Sequence, residues 1–260
     1  METGRFMGLK NSLPLICCPY DDLYGQMDFK NFPFGYNKDY AVWRKSQINR
    51  RVAFSLRAGS VLDDGGGYGF LKEFLEIKKN VYFNLDCSYE ILKYDNSEFR
   101  FLGDGKALPF KNEVFDNVVS GDVLEHVNDK VGYLREAYRV LKRDGLFILN
   151  TPREDWVDSF KKSIWFWIPY LSVFWNKIKG IPGSLGFKKS LHVPKGVIDI
   201  PSDEMWLRNQ LESIGYEIIE QARTDNHLFG FTGFFWRRLA DIFIDARKYG
   251  HCVFFVCRKK

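Results

Sequence analysis

"SVLDDGGGYGFL", Ser60 to Leu71, is the stretch on which the reading of the chain turns. A short run of strand formers meets two acids, Asp63 and Asp64, and then Gly65, Gly66, Gly67 and Gly69 follow almost without interruption. Glycines at a strand end can take positive φ and let a ligand lie against bare backbone. A dinucleotide fingerprint, G-x-G-x-x-G, would place its third glycine where Phe70 stands. That argues against a nicotinamide-dependent oxidoreductase. No Lys followed by Ser or Thr completes a phosphate-cradling P-loop either. Gly65, Gly67 and Gly69 instead spell G-x-G-x-G, with Asp63 just ahead. An acid at that strand end repels phosphate and suits an ammonium or sulfonium group.

Outward from this stretch the chain alternates strands and helices. Strand "SVLDD" is followed by helix "GFLKEFLEIKK", strand "VYFNLD", a short helix around "YEILKY", and strand "FRFLGD". Strand "FDNVVSG", helix "KVGYLREAYRVLK" and strand "LFILNT" come next. After an interruption, helix "SDEMWLRNQLESIG" leads to strand "YEIIEQA" and a closing strand "HCVFFVC"; Ser202 is the expected N-cap, Glu204 lies in the first turn, and Gly215 is the expected stop. Such alternation predicts an α/β architecture with a mostly parallel sheet and helices on both faces. Right-handed crossovers then gather the C-terminal strand ends on one edge, where ligands of such sheets bind. Upstream, "DYAVWRKSQINRRVAFSLR" shows helical spacing in Val42, Ile48, Val52, Phe54 and Leu56.

Two further acids fall on the same edge. Asp86 closes the strand after the glycine loop, about 20 residues on, where an acid accepts ribose hydroxyls. Asp104, in "LGDGKALPF", ends the next strand and can accept from an adenine amine, while the neighbouring backbone N–H reaches a ring nitrogen. The ligand these positions ask for bears a nucleoside and a cation and lacks phosphate.

"VLDDGGGYG", "NLD", "GDGKALPF", "FDNVVSGDVLEHV" and "EAYRVLKRDGLFILNTP", in that order between Val61 and Pro152, resemble the class I S-adenosylmethionine-dependent methyltransferases, and most nearly their ubiquinone-biosynthesis-like branch. The resemblance implies a seven-stranded Rossmann-like sheet with an aromatic-rich cap, and S-adenosyl-L-methionine as cofactor. It implies cofactor contacts from Asp63, Gly65, Gly67, Gly69, Asp86, Asp104, Gly105 and Ser120. Two residues depart from the family pattern. Asp64 stands where an apolar residue is usual, either adding charge near the pocket or simply solvated, and Gly105 stands where Ala is common. The implied layout is an N-terminal irregular and helical segment (1–58), a methyltransferase core (59–151 and 202–260) and an aromatic cap insertion (152–201).

Methyl transfer from a sulfonium is an in-line displacement with a good leaving group, so alignment of acceptor and methyl supplies much of the rate. A base is needed only where the nucleophile must lose a proton. Asp122, Glu125 and His126 of "SGDVLEHV", and His192 of "SLHVPKG", are the candidates; His126 is equally readable as a packed, hydrogen-bonded residue, and the resemblance implies His192 as a base or acceptor contact. "SGDV" replaces the Pro-Cys and N-P-P-Y-type motifs of nucleic-acid base methylation, and a net charge of +5 is too small and scattered to call for nucleic acid. The five cysteines form no metal-ligand spacing and no disulfide framework, so neither a metal nor structural disulfides are expected. The expected activity is methyl transfer to a small-molecule or lipid-linked acceptor, at oxygen first and carbon next. A non-catalytic module that binds the cofactor or a partner is the alternative. The N-terminus lacks the apolar core of a signal peptide and no stretch is long enough to span a bilayer, so a cytoplasmic setting is expected.

"SIWFWIPYLSVFW", Ser163 to Trp175, is apolar nearly all round and flanked by Lys161, Lys162, Lys177 and Lys179. Such a segment is either buried as a cap, packed against a second aromatic insertion near 224–250, or seated in the headgroup layer of an anionic membrane. Partial insertion of a few rings, each worth about 1.5–3 kcal/mol when fully buried, outweighs the loss of mobility, and nearby lysines add about 1 kcal/mol each on an anionic leaflet. The protein is expected to sediment with anionic vesicles, less so at high salt, and Trp165, Trp167 and Trp175 changed together to Ser should release it with cofactor affinity intact. Wild-type protein that stays in the supernatant at low salt reduces the segment to a cap.

Overall fold

The computed structural model describes residues 38–75, 79–155, 200–224 and 250–260. His192, Cys17, Cys18, the 163–175 segment and the second aromatic insertion lie outside these residues. The chain forms α1 (Lys38–Ser55), β1 (Ser60–Asp64), β2 (Val81–Asp86), α2 (Tyr89–Leu92), β3 (Phe99–Leu102), β4 (Phe115–Gly121), α3 (Lys130–Val140), β5 (Leu141–Pro152), α4 (Glu204–Ile214), β6 (Tyr216–Thr224) and β7 (Cys252–Lys259). The strands make one seven-stranded sheet in the order β3-β2-β1-β4-β5-β7-β6. Neighbours from β3 to β5 pair in parallel, and β7 runs antiparallel to both β5 and β6. This is the expected mostly parallel α/β sheet. Strand order reverses direction between β1 and β4, and that switch opens the crevice in which such sheets hold ligands.

Successive strand residues point to opposite faces, and the core divides accordingly. On one face Leu62, Leu85, Val118, Phe147 and Phe255 pack with Tyr133, Leu134, Ala137 and Val140 of α3 and Leu207 and Leu211 of α4. On the other face Val61, Val119, Ile148 and Phe254 pack with Val52 of α1 and Leu56 just past its end, and with Leu71 and Leu75 beyond the glycine loop. Both faces are covered, which is why residues 146–149 of β5 read as a continuous apolar run rather than an alternating one.

Several local expectations shift. The segment after the glycine loop is a single 3-10 turn, Phe70–Phe74, with 76–78 outside the described residues. Phe54, expected on the apolar stripe of α1, is 78% exposed. The N-cap of α4 is Asp203, whose Oδ1 accepts from Trp206 N at 2.7 Å. Ser202 is drawn away from that role: its Oγ accepts from Lys130 Nζ at 2.9 Å and its backbone bridges to Arg153. Glu204 in the first turn and Gly215 as the left-handed stop are as expected.

Arg153, just past β5, is wholly buried. Its guanidinium meets Asp155 at 2.6 Å, Glu204 of α4 at 3.1 Å and the carbonyl of Gly250 at 3.1 Å. One cation thus ties β5, the start of α4 and the approach to β7. Removing one partner of a buried ion pair costs about 3–5 kcal/mol, and the low end applies because the Asp155 side chain is 48% exposed. Arg153→Ala should lower unfolding free energy by about 3 kcal/mol in a denaturant titration. A loss below about 1 kcal/mol would show that the cluster is not structural.

Candidate cofactor site

The glycine loop hangs from β2. Gly65 N and Gly66 N both donate to Leu85 O, at 2.8 and 3.2 Å. Gly65, Gly67 and Gly69 have φ of 86°, 57° and 77°, values that a side chain disfavours. Gly66 is required for a different reason: a Cβ there would stand 2.3 Å from Asn84 Oδ1 and 2.5 Å from Asp63 Oδ2.

A buried polar network supports the loop from beneath. Asn84 Nδ2 donates to Gly67 O and to Asp95 Oδ2, both at 2.9 Å. Asp95 Oδ1 accepts from Ser97 N and Ser97 Oγ. Asp86 accepts Gly67 N through Oδ2 at 3.0 Å and Ser88 N through Oδ1 at 2.9 Å. Asp63 Oδ2 accepts from the Tyr82 hydroxyl at 2.7 Å. Burial pushes the Asp63 carboxyl up to about 6, against the hydrogen bond from Tyr82 and the charge of Lys45.

One cleft gathers most of the expected site. Asp63, Gly65, Gly67 and Asp86 line it together with Ser120 and Asp122 and with Lys45, Ile48, Asn49 and Val52 of α1. Asp122 takes φ of 59°; its amide donates to Asn150 O at 2.9 Å and its Oδ1 accepts from Asn150 Nδ2 at 3.0 Å. Thr224 Oγ1 in turn donates to Asn150 Oδ1 at 3.0 Å. Ser120 Oγ accepts from the Tyr133 hydroxyl at 2.8 Å.

Other expected residues stand apart from the cleft wall. Gly69 lies against the Asp95 carboxylate. Asp104 follows β3 in a turn docked by Gly103 N to Asp86 O at 3.0 Å; its carboxylate accepts Lys106 N at 2.9 Å and meets Lys106 Nζ at 3.4 Å. Gly105 packs under Tyr133 and Asp64. His126 ends a short 3-10 turn after β4, 32% exposed in its side chain and 4.0 Å from Glu125. Asp64 is not solvated: only 1% of it is exposed. Sequence reading passed over Lys45, Tyr82, Asn84, Asp95 and Asn150. The signal for Asn84 and Asn150 was present, since each amide directly adjoins apolar residues of its strand, Phe83 and Leu85 in β2 and the run 146–149 in β5.

The donors and acceptors suit S-adenosyl-L-methionine. Asp63 and Asp86 face the cleft for a cation and a diol, the glycine loop admits a close backbone approach, and Lys45 is available for a carboxylate. Residues 62–149 match the methyltransferase-domain family. A demethylmenaquinone methyltransferase of Alkalihalophilus pseudofirmus is 23% identical over 61% of this chain and 71% of its own. The mitochondrial arginine-hydroxylase NDUFAF5 of Homo sapiens is 37% identical over 34% of this chain and 27% of its own. An S-adenosylmethionine-dependent methyltransferase of Mesorhizobium loti superposes with a TM-score of 0.56 at 16% identity, over 82% of this chain and 96% of that one, which bears on the fold alone. The chain spans 51% of the length of an uncharacterized Methanocaldococcus jannaschii relative and 46% of a Mycolicibacterium smegmatis one. The matched residues are those of a methyltransferase domain, and S-adenosyl-L-methionine is the cofactor that such a domain implies.

Asp86→Ala should weaken the cofactor by about 1.5–3 kcal/mol in a calorimetric titration, the scale of a hydrogen bond to a charged group. The loss of its bonds to Gly67 N and Ser88 N places the expectation at the upper end. Unchanged affinity would remove Asp86 from the site, and tighter binding of NAD than of S-adenosylhomocysteine by the wild type would overturn the cofactor.

Proposed function

We propose that the protein transfers the methyl group of S-adenosylmethionine to a small, apolar or lipid-linked acceptor of the quinol type, at oxygen first and ring carbon next. The observation that carries this reading is the cleft that Asp63, Asp86 and Asp122 line together. The bound cofactor supplies an electrophilic methyl on a sulfonium. In this reading Asp86 accepts the ribose hydroxyls, Asp63 accepts from the amino group, and Lys45 meets the carboxylate. Asp104 and the amide of Gly105 take the adenine edge from the turn beside Asp86.

Asp122 is the leading base because it lines the cleft and is held by Asn150, whereas His126 does not line it. His192 remains a proposed acceptor contact. Ile48, Val52, Val119 and Ile148 give the cleft an apolar component that suits a hydrophobic acceptor. The similarity to a demethylmenaquinone methyltransferase and to a 2-methyl-6-phytyl-1,4-hydroquinone methyltransferase of Oryza sativa supports the same acceptor class. Such an acceptor resides in membranes, so the aromatic 163–175 segment is proposed to bring the enzyme to the cytoplasmic face of one. No described helix is long and apolar enough to cross a membrane.

The test is a panel of hydroquinones incubated with methyl-labelled cofactor, with products resolved by mass spectrometry and the methylated atom assigned by fragmentation. Labelled product bearing the methyl on oxygen is expected. Asp122→Asn should lower kcat about 100-fold, the scale of a lost general base, with cofactor affinity nearly unchanged. Cofactor binding without labelled product would favour the non-catalytic module. A product heavier by an oxygen rather than a methyl would favour hydroxylation, the activity named for the human relative.

A further inference from the structure

The two residues that depart from the family pattern touch each other. A Cβ on Gly105 would stand 2.7 and 2.8 Å from the two carboxylate oxygens of Asp64 and 2.4 Å from Tyr133 Cε2. The Asp64 carboxyl therefore occupies the space that an alanine methyl would need. Its Oδ2 is buried and has no hydrogen-bond partner among the described residues. The Tyr133 hydroxyl lies between, donating to Ser120 Oγ at 2.8 Å and approaching Asp64 O at 3.3 Å. Ser120 is part of the cleft wall. Asp64 is thus separated from the cleft by two side chains, Tyr133 and Ser120.

The charged groups around it are mostly of one sign. Asp63 on β1, Asp86 at the end of β2 and Asp104 in the turn after β3 all act on the Asp64 carboxyl, and Tyr133 of α3 packs against it. Lys45 acts on Asp63, and Lys106 pairs with Asp104. Carboxyls crowded in a site with little water cannot all ionise, and Asp64, whose buried Oδ2 has no hydrogen-bond partner among the described residues, is the natural holder of a proton. Burial, opposed by Tyr133 and reinforced by these acids, pushes Asp64 up to about 8.

We propose that Asp64 is a specificity residue for the charge of the cofactor: it carries a proton in the empty site and releases it when cationic S-adenosylmethionine binds. The O–H bond of Asp64 breaks, the proton goes to solvent, and the sulfonium charge takes the proton's place in balancing the acids. S-adenosylhomocysteine lacks the sulfonium, so Asp64 keeps its proton, and after methyl transfer it recovers one from solvent. Preference for the methyl donor over the demethylated product then rises with pH. The sign follows from linkage: the state with the lower Asp64 pKa, the sulfonium-bound one, gains as pH rises through about 8.

Calorimetric titrations of the full chain with each ligand between pH 6.5 and 9.5, repeated in buffers of different ionisation enthalpy, test this. The ratio of S-adenosylmethionine to S-adenosylhomocysteine affinity should rise about tenfold across that range, as one unit of pKa displacement by an opposite charge requires. At neutral pH the cationic ligand should release more protons than the neutral one; the ammonium and carboxylate common to both ligands cancel in that difference. In Asp64→Asn the ratio should be flat with pH while S-adenosylhomocysteine binds as in the wild type. Equal proton release for the two ligands in the wild type overturns the proposal without any variant. A tenfold rise that persists in Asp64→Asn would assign the effect to Asp63 and overturn it as well. None of these readouts depends on the acceptor.

Discussion

Everything in the cleft depends on the pair of backbone hydrogen bonds by which Gly65 and Gly66 share the carbonyl of Leu85. They fold the end of β1 sideways onto β2 and so bring the loop over Asp86, whose carboxylate then holds Gly67 N. The Asn84 amide completes the clamp from below by taking Gly67 O and Asp95 together. Each bond is worth about 1 kcal/mol net, less than the cost of leaving its buried donor or acceptor unpaired. The clamp is therefore kept less by the gain from each bond than by the penalty for breaking any one. That makes the loop rigid before a ligand arrives, and rigidity paid for in folding lowers the ordering cost of binding.

The same clamp concentrates negative charge. Asp63, Asp64 and Asp86 lie at adjoining ends of β1 and β2, and Gly103 N bonds to Asp86 O to bring the turn of Asp104 alongside. A site built this way is unfavourable when empty and all-ionised, which is why burial raises Asp63 and Asp64 together. It is complementary to a cation, and Lys45 reaching in from α1 moderates it at one side only. The electrostatics thus oppose phosphate cofactors and favour a sulfonium on physical grounds that stand apart from any likeness to other proteins.

Packing explains why the sheet edge can carry this strain. The strands behind the cleft are covered on both faces, by α3 and α4 on one and by the end of α1 on the other. Arg153 and Glu204 lock the far side of the sheet where β5 hands over to α4, with Arg223 and Gln221 also bonded to Glu204. The reactive edge is left as a rim of loops on a stiff support, with Asp122 held by Asn150 in an otherwise disfavoured backbone conformation.

How much of this was legible in the sequence follows from what each signal measures. β1, β2 and β4 were readable to the residue, because glycines, acids and alternation mark strand ends locally. The glycine spacing and the positions of Asp63, Asp86 and Asp104 were readable for the same reason. Pairing between distant segments was not. Asp203 rather than Ser202 caps α4 because Lys130 and Arg153, far away in the chain, claim Ser202. Lys45 joins the cleft only because α1 folds back over β1, and helical spacing does not say which neighbour a face will meet. Asp64 looks in the sequence like a solvated acid beside the glycines. Its burial against Gly105, Tyr133 and three other carboxyls is a property of four segments brought together. The sequence by itself determined the order of elements, the glycine loop and the acids at the strand ends, since those are local. Only the tertiary structure decided which acid is dry, which cation reaches the cleft and which cap wins, because desolvation and pairing depend on neighbours distant in the chain.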